Sequence, residues 1–252
     1  MCQKLEKGLL FSRGVFQMAK YHEISTELIK EIVDGKYSSQ NKLPTEKELS
    51  ERFGASINTI RNAINLMTDE GYIYKVQGSG MYLRPVNFDE STNLNLIKGF
   101  SSEQKTETSD IKILKLKLIQ ASEDIAAELN CNVEEPLYYL KRVRNVDNEP
   151  VRVEQSYYRQ ENVPYLGKEI AGASVFDYLT QNLKLQIGFA DRKIYADYLS
   201  KENAELLNLS ENDPALVVKE KMYLSNGQIF CLGEGILHFQ KLSLFSSAKN
   251  FA

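Results

Sequence analysis

The chain has 252 residues, 42% of them hydrophobic and 26% charged, which suits a globular protein with one or two cores and excludes disordered and fibrous classes. The longest apolar run near the start, Gly8 to Phe16, is broken by Arg13 and falls short of the roughly 18 residues a membrane span requires, so a cytoplasmic protein without a membrane partner is expected. The net charge of -3 is uneven: residues 1–85 carry 12 Lys/Arg against 10 Asp/Glu and the remainder 19 against 24, a hint of two differently employed halves.

Three cysteines without a CxxC spacing and two histidines, His22 and His238, give no disulfide framework and no metal site. No glycine-rich phosphate loop joins a strand to a helix, so no cofactor is expected. Residues 1–17 show neither helical nor strand periodicity. A clean helical pattern follows Met18, with Tyr21, Ile24, Leu28 and Ile32 on one face, so Met18 is the expected start and residues 1–17 a loose arm.

That helix ends at Asp34 and Gly35. Thr45 and Glu48 then make a capping box that starts a second helix at about Glu46. It closes near Gly54, and Ser56 caps a third helix through Glu70, which is helix-turn-helix spacing. Residues 72–76 and 81–84 read as a hairpin around Gly78 and Gly80, and three helices followed by a hairpin make a winged helix. The expected extents are 18–85 for this domain, 86–97 for a linker and 98–245 for a second domain.

The third helix carries its chemistry on one face, where Asn58, Arg61, Asn62 and Asn65 lie opposite the apolar stripe of Ile60, Ala63, Ile64 and Met67. Asparagine can address adenine edges and arginine guanine O6 and N7, so this face can read a major groove. Taken alone it reads first as a solvated helix face, because exposed Asn and Arg are common. The capped helix before it and the glycine-tipped hairpin after it favour DNA, with Lys75 at the base of the wing placed for phosphate.

The segments Leu43-Pro44-Thr45-Glu46-Lys47-Glu48-Leu49, Ala55 to Arg61 and Gln77 to Gly80 resemble the GntR-family winged helix in order and spacing. That resemblance implies operator contacts by Thr45, Glu46, Lys47, Ser56, Thr59, Arg61 and Gly78, the last at the minor groove. Two positions depart from the family pattern, Lys47 and Ile57 each standing where arginine is usual, and they alter the expected operator sequence.

In the second part, Ile111 to Ile119, Leu137 to Val146, Pro150 to Arg159, Leu185 to Tyr198, Pro214 to Leu224 and Gln228 to Phe239 read as strands of an antiparallel sheet. Turns are expected at Asp147-Asn148 and Ser225-Asn226-Gly227, and short helices at Ser122 to Asn130, Ser174 to Gln181 and Ser200 to Asn208. Arg142 and Arg144 alternate on one strand and so share a face, with Glu154 available from the next. Two readings stay open there: an internal ion-pair network, or an anion pocket.

The runs at Ala121 to Ala126, Tyr139 to Arg144, Pro150 to Tyr158 and Ser174 to Leu179 are similar to the UTRA effector domain of the HutC subfamily, a fold resembling chorismate lyase. The fold class expected is therefore α+β, an N-terminal winged helix-turn-helix plus a chorismate-lyase-like antiparallel sheet domain. The resemblance implies a phosphosugar or other small metabolite held at Phe100, Ser101, Arg142, Arg144, Glu154, Ser174 and Phe176. Phe176, Cys231 and Leu237 depart from the polar residues common in sugar-phosphate binders, with Glu234 and His238 as possible substitutes. The expected function is a homodimeric, effector-controlled regulator of a palindromic operator, with repression favoured and no enzymatic activity. The alternatives are an enzyme of chorismate-lyase-like fold and a constitutive DNA-binding protein with a decayed pocket.

Overall fold

In the computed structural model, which describes residues 20–84, 91–94 and 109–246, the chain divides into two units, residues 1–86 and 87–252, each with its own core. The expected start at Met18, the arm before it, and the candidate residues Phe100 and Ser101 lie outside the described residues.

In the first unit, local side-chain chemistry sets the helix ends. Helix α1 (Lys20–Val33) buries Ile24 and Leu28, with Tyr21 and Ile32 half-buried beside them. Helix α2 (Glu46–Phe53) starts at the complete capping box of Thr45 and Glu48 and stops where Gly54 turns left-handed at φ 52°. Ser56 accepts from the Thr59 amide to start α3 (Ile57–Asp69), whose Ile60, Ala63, Ile64 and Met67 are fully buried. Strands β1 (Ile73–Val76) and β2 (Gly80–Leu83) form the wing, with Ile73 opposite Leu83 and both buried. Residues 41–43 bond to β2 around an isolated antiparallel bridge from Lys42 to Tyr82: Leu83 N donates to Asn41 O and Leu43 N to Met81 O. Three residues are too few to show period-2 alternation, so the pattern left no trace in the sequence.

Arg52 on α2 clamps α1. Its guanidinium forks onto Glu31 at 2.5 and 2.8 Å and reaches Glu27 at 3.0 Å, while Tyr37 donates to the same Glu31 carboxylate at 2.6 Å. The Arg52 bonds, working against burial and assisted by Lys36 and Tyr37, hold the Glu31 carboxyl at about 2.

The second unit is a six-stranded antiparallel sheet: β4 (Ser109–Gln120), β5 (Pro136–Val146), β6 (Glu149–Arg159), β7 (Ile187–Tyr198), β8 (Pro214–Leu224) and β9 (Ile229–His238) lie in the order β4-β5-β6-β9-β8-β7. Hairpin β5–β6 turns at Asp147 and Asn148, both at positive φ, and β8–β9 at Gly227. One sheet face packs Leu140, Tyr158 and Phe230 against Val175 and Leu179. On the other, α7 (Lys201–Leu207) covers Val143 and Val153, and α4 (Glu123–Leu129) packs by Ala126 and Leu129 on Leu137. A four-residue helix α5 (Lys168–Ala171) was not expected. The helix expected at Ser174 to Gln181 is a single turn, α6 (Val175–Asp177), followed by a π-turn at Tyr178–Asn182 in which Leu183 N donates to Tyr178 O.

Within the span expected as linker, Ser91–Asn93 is a strand, β3, paired in parallel with β10 (Ser243–Phe245). Polar residues at a short strand carry no hydrophobic signal, and the pairing is with the far end of the chain.

Glu31→Gln should destabilise the first unit by about 1–2 kcal/mol at pH 7, the fork's value discounted because Arg52 is a third exposed. Because the folded carboxyl is depressed to about 2, the stabilisation is present above the ordinary pKa of 4.5 and lost as pH falls toward 2. Calorimetric melts of parent and variant should be separated at pH 7 and converge across that window. A separation unchanged down to pH 2 would contradict the assignment.

Candidate DNA interface and effector pocket

On α3 the polar face is arranged as the sequence predicts, with Asn58, Arg61, Asn62 and Asn65 all exposed. Two of its members are already engaged. Arg61 Nε donates to Glu46 Oε2 at 2.8 Å, and Lys75 Nζ donates to Asn65 Oδ1 at 2.8 Å. The first bond joins the start of α2 to α3 and the second joins the wing to α3, so the groups that would meet DNA are pre-positioned by one another. Arg61 is not a free cation on an otherwise neutral face, because a carboxylate stands beside it. A DNA contact by Arg61 would exchange that exposed pair for phosphate or base edges, a modest cost at such exposure.

Thr45 and Ser56 cap adjacent helix starts and are exposed, as is Lys47, while Thr59 is half-buried with its hydroxyl 2.8 Å from that of Ser56. Two helix N-termini with free surface around them suit phosphate oxygens. At the wing tip Gly78 sits at φ +74°, and a Cβ there would meet open space, so the conformation rather than crowding calls for glycine.

In the second unit the sheet gathers guanidinium groups around one carboxylate. Arg142 and Glu154 face each other across β5 and β6, with Arg142 Nε donating to Glu154 Oε2 at 2.6 Å. Arg144 and Arg152 stand 3.7 and 3.4 Å from Glu154 Oε1. Arg142 also donates to the carbonyls of Ala171 and Ala173, which fixes its plane. Burial works to raise the Glu154 carboxyl, but the charges of Arg142, Arg152 and Arg144 outweigh it and hold it at about 2. Burial opposes charge on both arginines of β5. Glu154 wins at Arg142, whose pKa is raised, whereas at Arg144 burial, with Arg142 and Arg152 adding to it, prevails and lowers the value.

A cavity of about 120 Å³ opens over this cluster, lined by Arg142, Arg152 and Glu154 on one side and by Arg192 and Glu220 on another. Phe176, Cys231, Leu94 and Leu244 supply its apolar wall. Of the predicted effector residues, Arg142, Glu154 and Phe176 are thus brought together, whereas the Glu234 side chain lies on the opposite sheet face, across from Gln155 and Lys219 in the strand register. Arg144 and Ser174 are not among the lining residues. Arg144 is 2% exposed beneath the cluster, and the Ser174 hydroxyl accepts from Asp177 N to cap α6. Glu234 is held by Gln155 at 2.8 Å and by Lys219 at 3.5 Å. His238 lies elsewhere, buried, accepting at Nδ1 from the Gln240 amide, with burial first and Lys241 second lowering its pKa. Leu237 is a core residue beside Val151 and Val218.

Sequence reasoning missed Arg152, Arg192 and Glu220. Arg152 was legible, since it sits two residues before Glu154 and so on the same face of β6. Its guanidinium lies over Gly235, where any Cβ would come within 2.4 Å of it. Arg192 and Glu220 face each other on β7 and β8, and only the strand register reveals that.

Among known proteins, residues 20–83 match the bacterial regulatory proteins of the gntR family and residues 104–242 match the UTRA domain. The chain is 30% identical to the uncharacterized HTH-type transcriptional regulator YydK of Bacillus subtilis, over 93% of this chain and 99% of that one. The YydK crystal structure superposes with a TM-score of 0.76, covering 92% of this chain and all of that one. The transcriptional regulator TreR of Bacillus subtilis is 29% identical over 84% of this chain and 89% of its own. The repressor MngR of Escherichia coli, named for a mannosyl-D-glycerate transport and metabolism system, is 24% identical over 83% and 88%. The chain belongs to the GntR family of bacterial regulatory proteins, in the HutC-type branch that joins a DNA-binding winged helix to a ligand-responsive UTRA domain.

Proposed function

We propose that the protein is a homodimeric repressor that binds a palindromic operator and releases it when a small anionic metabolite of the phosphosugar class enters the UTRA cavity. The observation that carries this reading is the convergence of Arg142, Arg144 and Arg152 on the single carboxylate of Glu154 below a cavity. Planar guanidiniums held in place suit a phosphate monoester, and Glu220 and Ser156 on the cavity wall suit hydroxyl groups. Relatives named for sugars support the class: one solved effector domain is that of a trehalose repressor, 28% identical, and MngR serves a mannosyl-D-glycerate system. Dimerisation follows from the reading head, because a single winged helix addresses one half-site only.

A decayed pocket fits less well. Leu237 belongs to the core, and Phe176 and Cys231 leave the arginine cluster intact opposite them. Within this reading the DNA contacts are Thr45, Lys47, Ser56, Asn58, Thr59, Arg61, Asn62, Lys75 and the Gly78 backbone, with Glu46 orienting Arg61. The ligand anchors in this reading are Arg142 and Arg152, because Arg144 does not line the cavity.

Arg61→Ala should weaken specific operator binding about 10- to 100-fold, the worth of one bidentate contact. The melting temperature should barely change, because the Arg61 and Glu46 pair is exposed. Anisotropy titration at fixed salt checks this, and unchanged affinity would remove α3 from the interface.

Arg152→Met should bind phosphosugars at least tenfold more weakly by calorimetry while keeping operator affinity, so that it represses without release. A panel of hexose and disaccharide phosphates is the first screen. Parent-like ligand affinity in this variant would return the arginine cluster to a structural role.

A further inference from the structure

The cavity wall contains an arginine whose guanidinium also reaches the strand by which the chain enters this unit. Arg192 on β7 pairs through Nε with Glu220 of β8, its cross-strand partner, and both line the cavity. The other end of the same guanidinium leaves the sheet: Nη1 donates to the main-chain carbonyl of Leu94 at 2.6 Å. Leu94 directly follows β3, the strand through which the chain enters this unit after the winged helix and residues 85–90.

The strap formed by β3 and β10 is unequally supported. At the β10 end, Leu242 is buried with Val151, Val218 and Leu237, and Leu244 packs against that cluster. Among the described residues β3, three residues long, pairs with β10 alone, extended by the bond from Leu94 N to Phe245 O at 2.8 Å. A three-residue parallel pair is a weak unit in water. Its attachment to the main sheet is therefore sensitive to the Arg192 bond, and Leu94 and Leu244 themselves line the cavity.

We propose that Arg192 is a positioning residue that couples the pocket to the connector. Anchored by Glu220 in the cavity wall, it fixes the Leu94 carbonyl and so sets where the chain arriving from the winged helix is held. A ligand that engages Glu220 or Arg192 competes for that anchor, and occupancy is read out as a change in the hold on residues 91–94. The coupling step rests on the cavity being the effector site. The hold itself does not, so the two can fail separately.

The test is hydrogen exchange by mass spectrometry on the ligand-free full chain, comparing the parent with Arg192→Met and Glu220→Gln. The expected result is at least tenfold faster exchange in peptides covering residues 91–94 and 243–245 in Arg192→Met and at least threefold in Glu220→Gln, with β5 and β6 unchanged. Anisotropy on an operator duplex selected in vitro with the parent chain supplies the second readout. The two variants change net charge in opposite directions, so a purely electrostatic effect would move operator affinity in opposite senses. Loss of the hold moves both in the same sense by threefold or more. Unchanged exchange in the strap, or opposite shifts in affinity, would overturn the proposal. Should Arg192→Met fail to fold, Glu220→Gln decides by the same criteria. Calorimetry of the parent with glucose 6-phosphate and with inorganic phosphate reports on the effector reading independently.

Discussion

The second unit is organised around a buried carboxylate shared by three guanidiniums. Glu154 sits in the middle strands of the sheet, and Arg142, Arg144 and Arg152 reach it from the same strand and its neighbour. Buried charges are tolerated only when paired, and the depressed Glu154 carboxyl shows how strongly the arginines favour its ionised form. Much else is placed to serve this cluster. The carbonyls of Ala171 and Ala173, after α5, fix the Arg142 plane, and Gly235 clears room for Arg152. An apolar replacement would pack such a site at less cost, which argues that the charges are kept for binding.

The first unit uses charge differently. Its pairs are at the surface, they join elements rather than fill a core, and two polar contacts restrain groups proposed to face DNA. Arg61 with Glu46 and Lys75 with Asn65 limit the rotamers of long side chains before any operator arrives. Ordering side chains in advance reduces the entropy lost on binding. With near-balanced charge in this unit, nine Lys/Arg against nine Asp/Glu over residues 18–84, affinity depends on such local arrangement more than on bulk attraction.

The helices of the first unit were legible because their signals are local: the Thr45 and Glu48 box, the Ser56 cap and the glycine stops each act within one turn. The long strands were legible through alternation and through the Asp147-Asn148 turn. Elements defined by distant partners were not. Residues 41–43 bond to β2, and β3 pairs with β10 across most of the chain. The site divides on the same line. Arg142 and Glu154, on adjacent hairpin strands, could be paired from sequence, whereas Arg192 and Glu220 needed the register of β7 and β8.

The central claim is that the arginine cluster is an anion site and not only a fold element. Its most direct test is the melting temperature of the full chain in phosphate and in chloride at equal ionic strength, for the parent and for Glu154→Gln. The variant removes the shared counter-charge, so an anion from solution becomes more valuable to the folded state. The account predicts that phosphate raises the melting temperature of the parent and raises that of Glu154→Gln by several degrees more. Equal melting in the two salts, or a smaller phosphate effect in the variant, would contradict it.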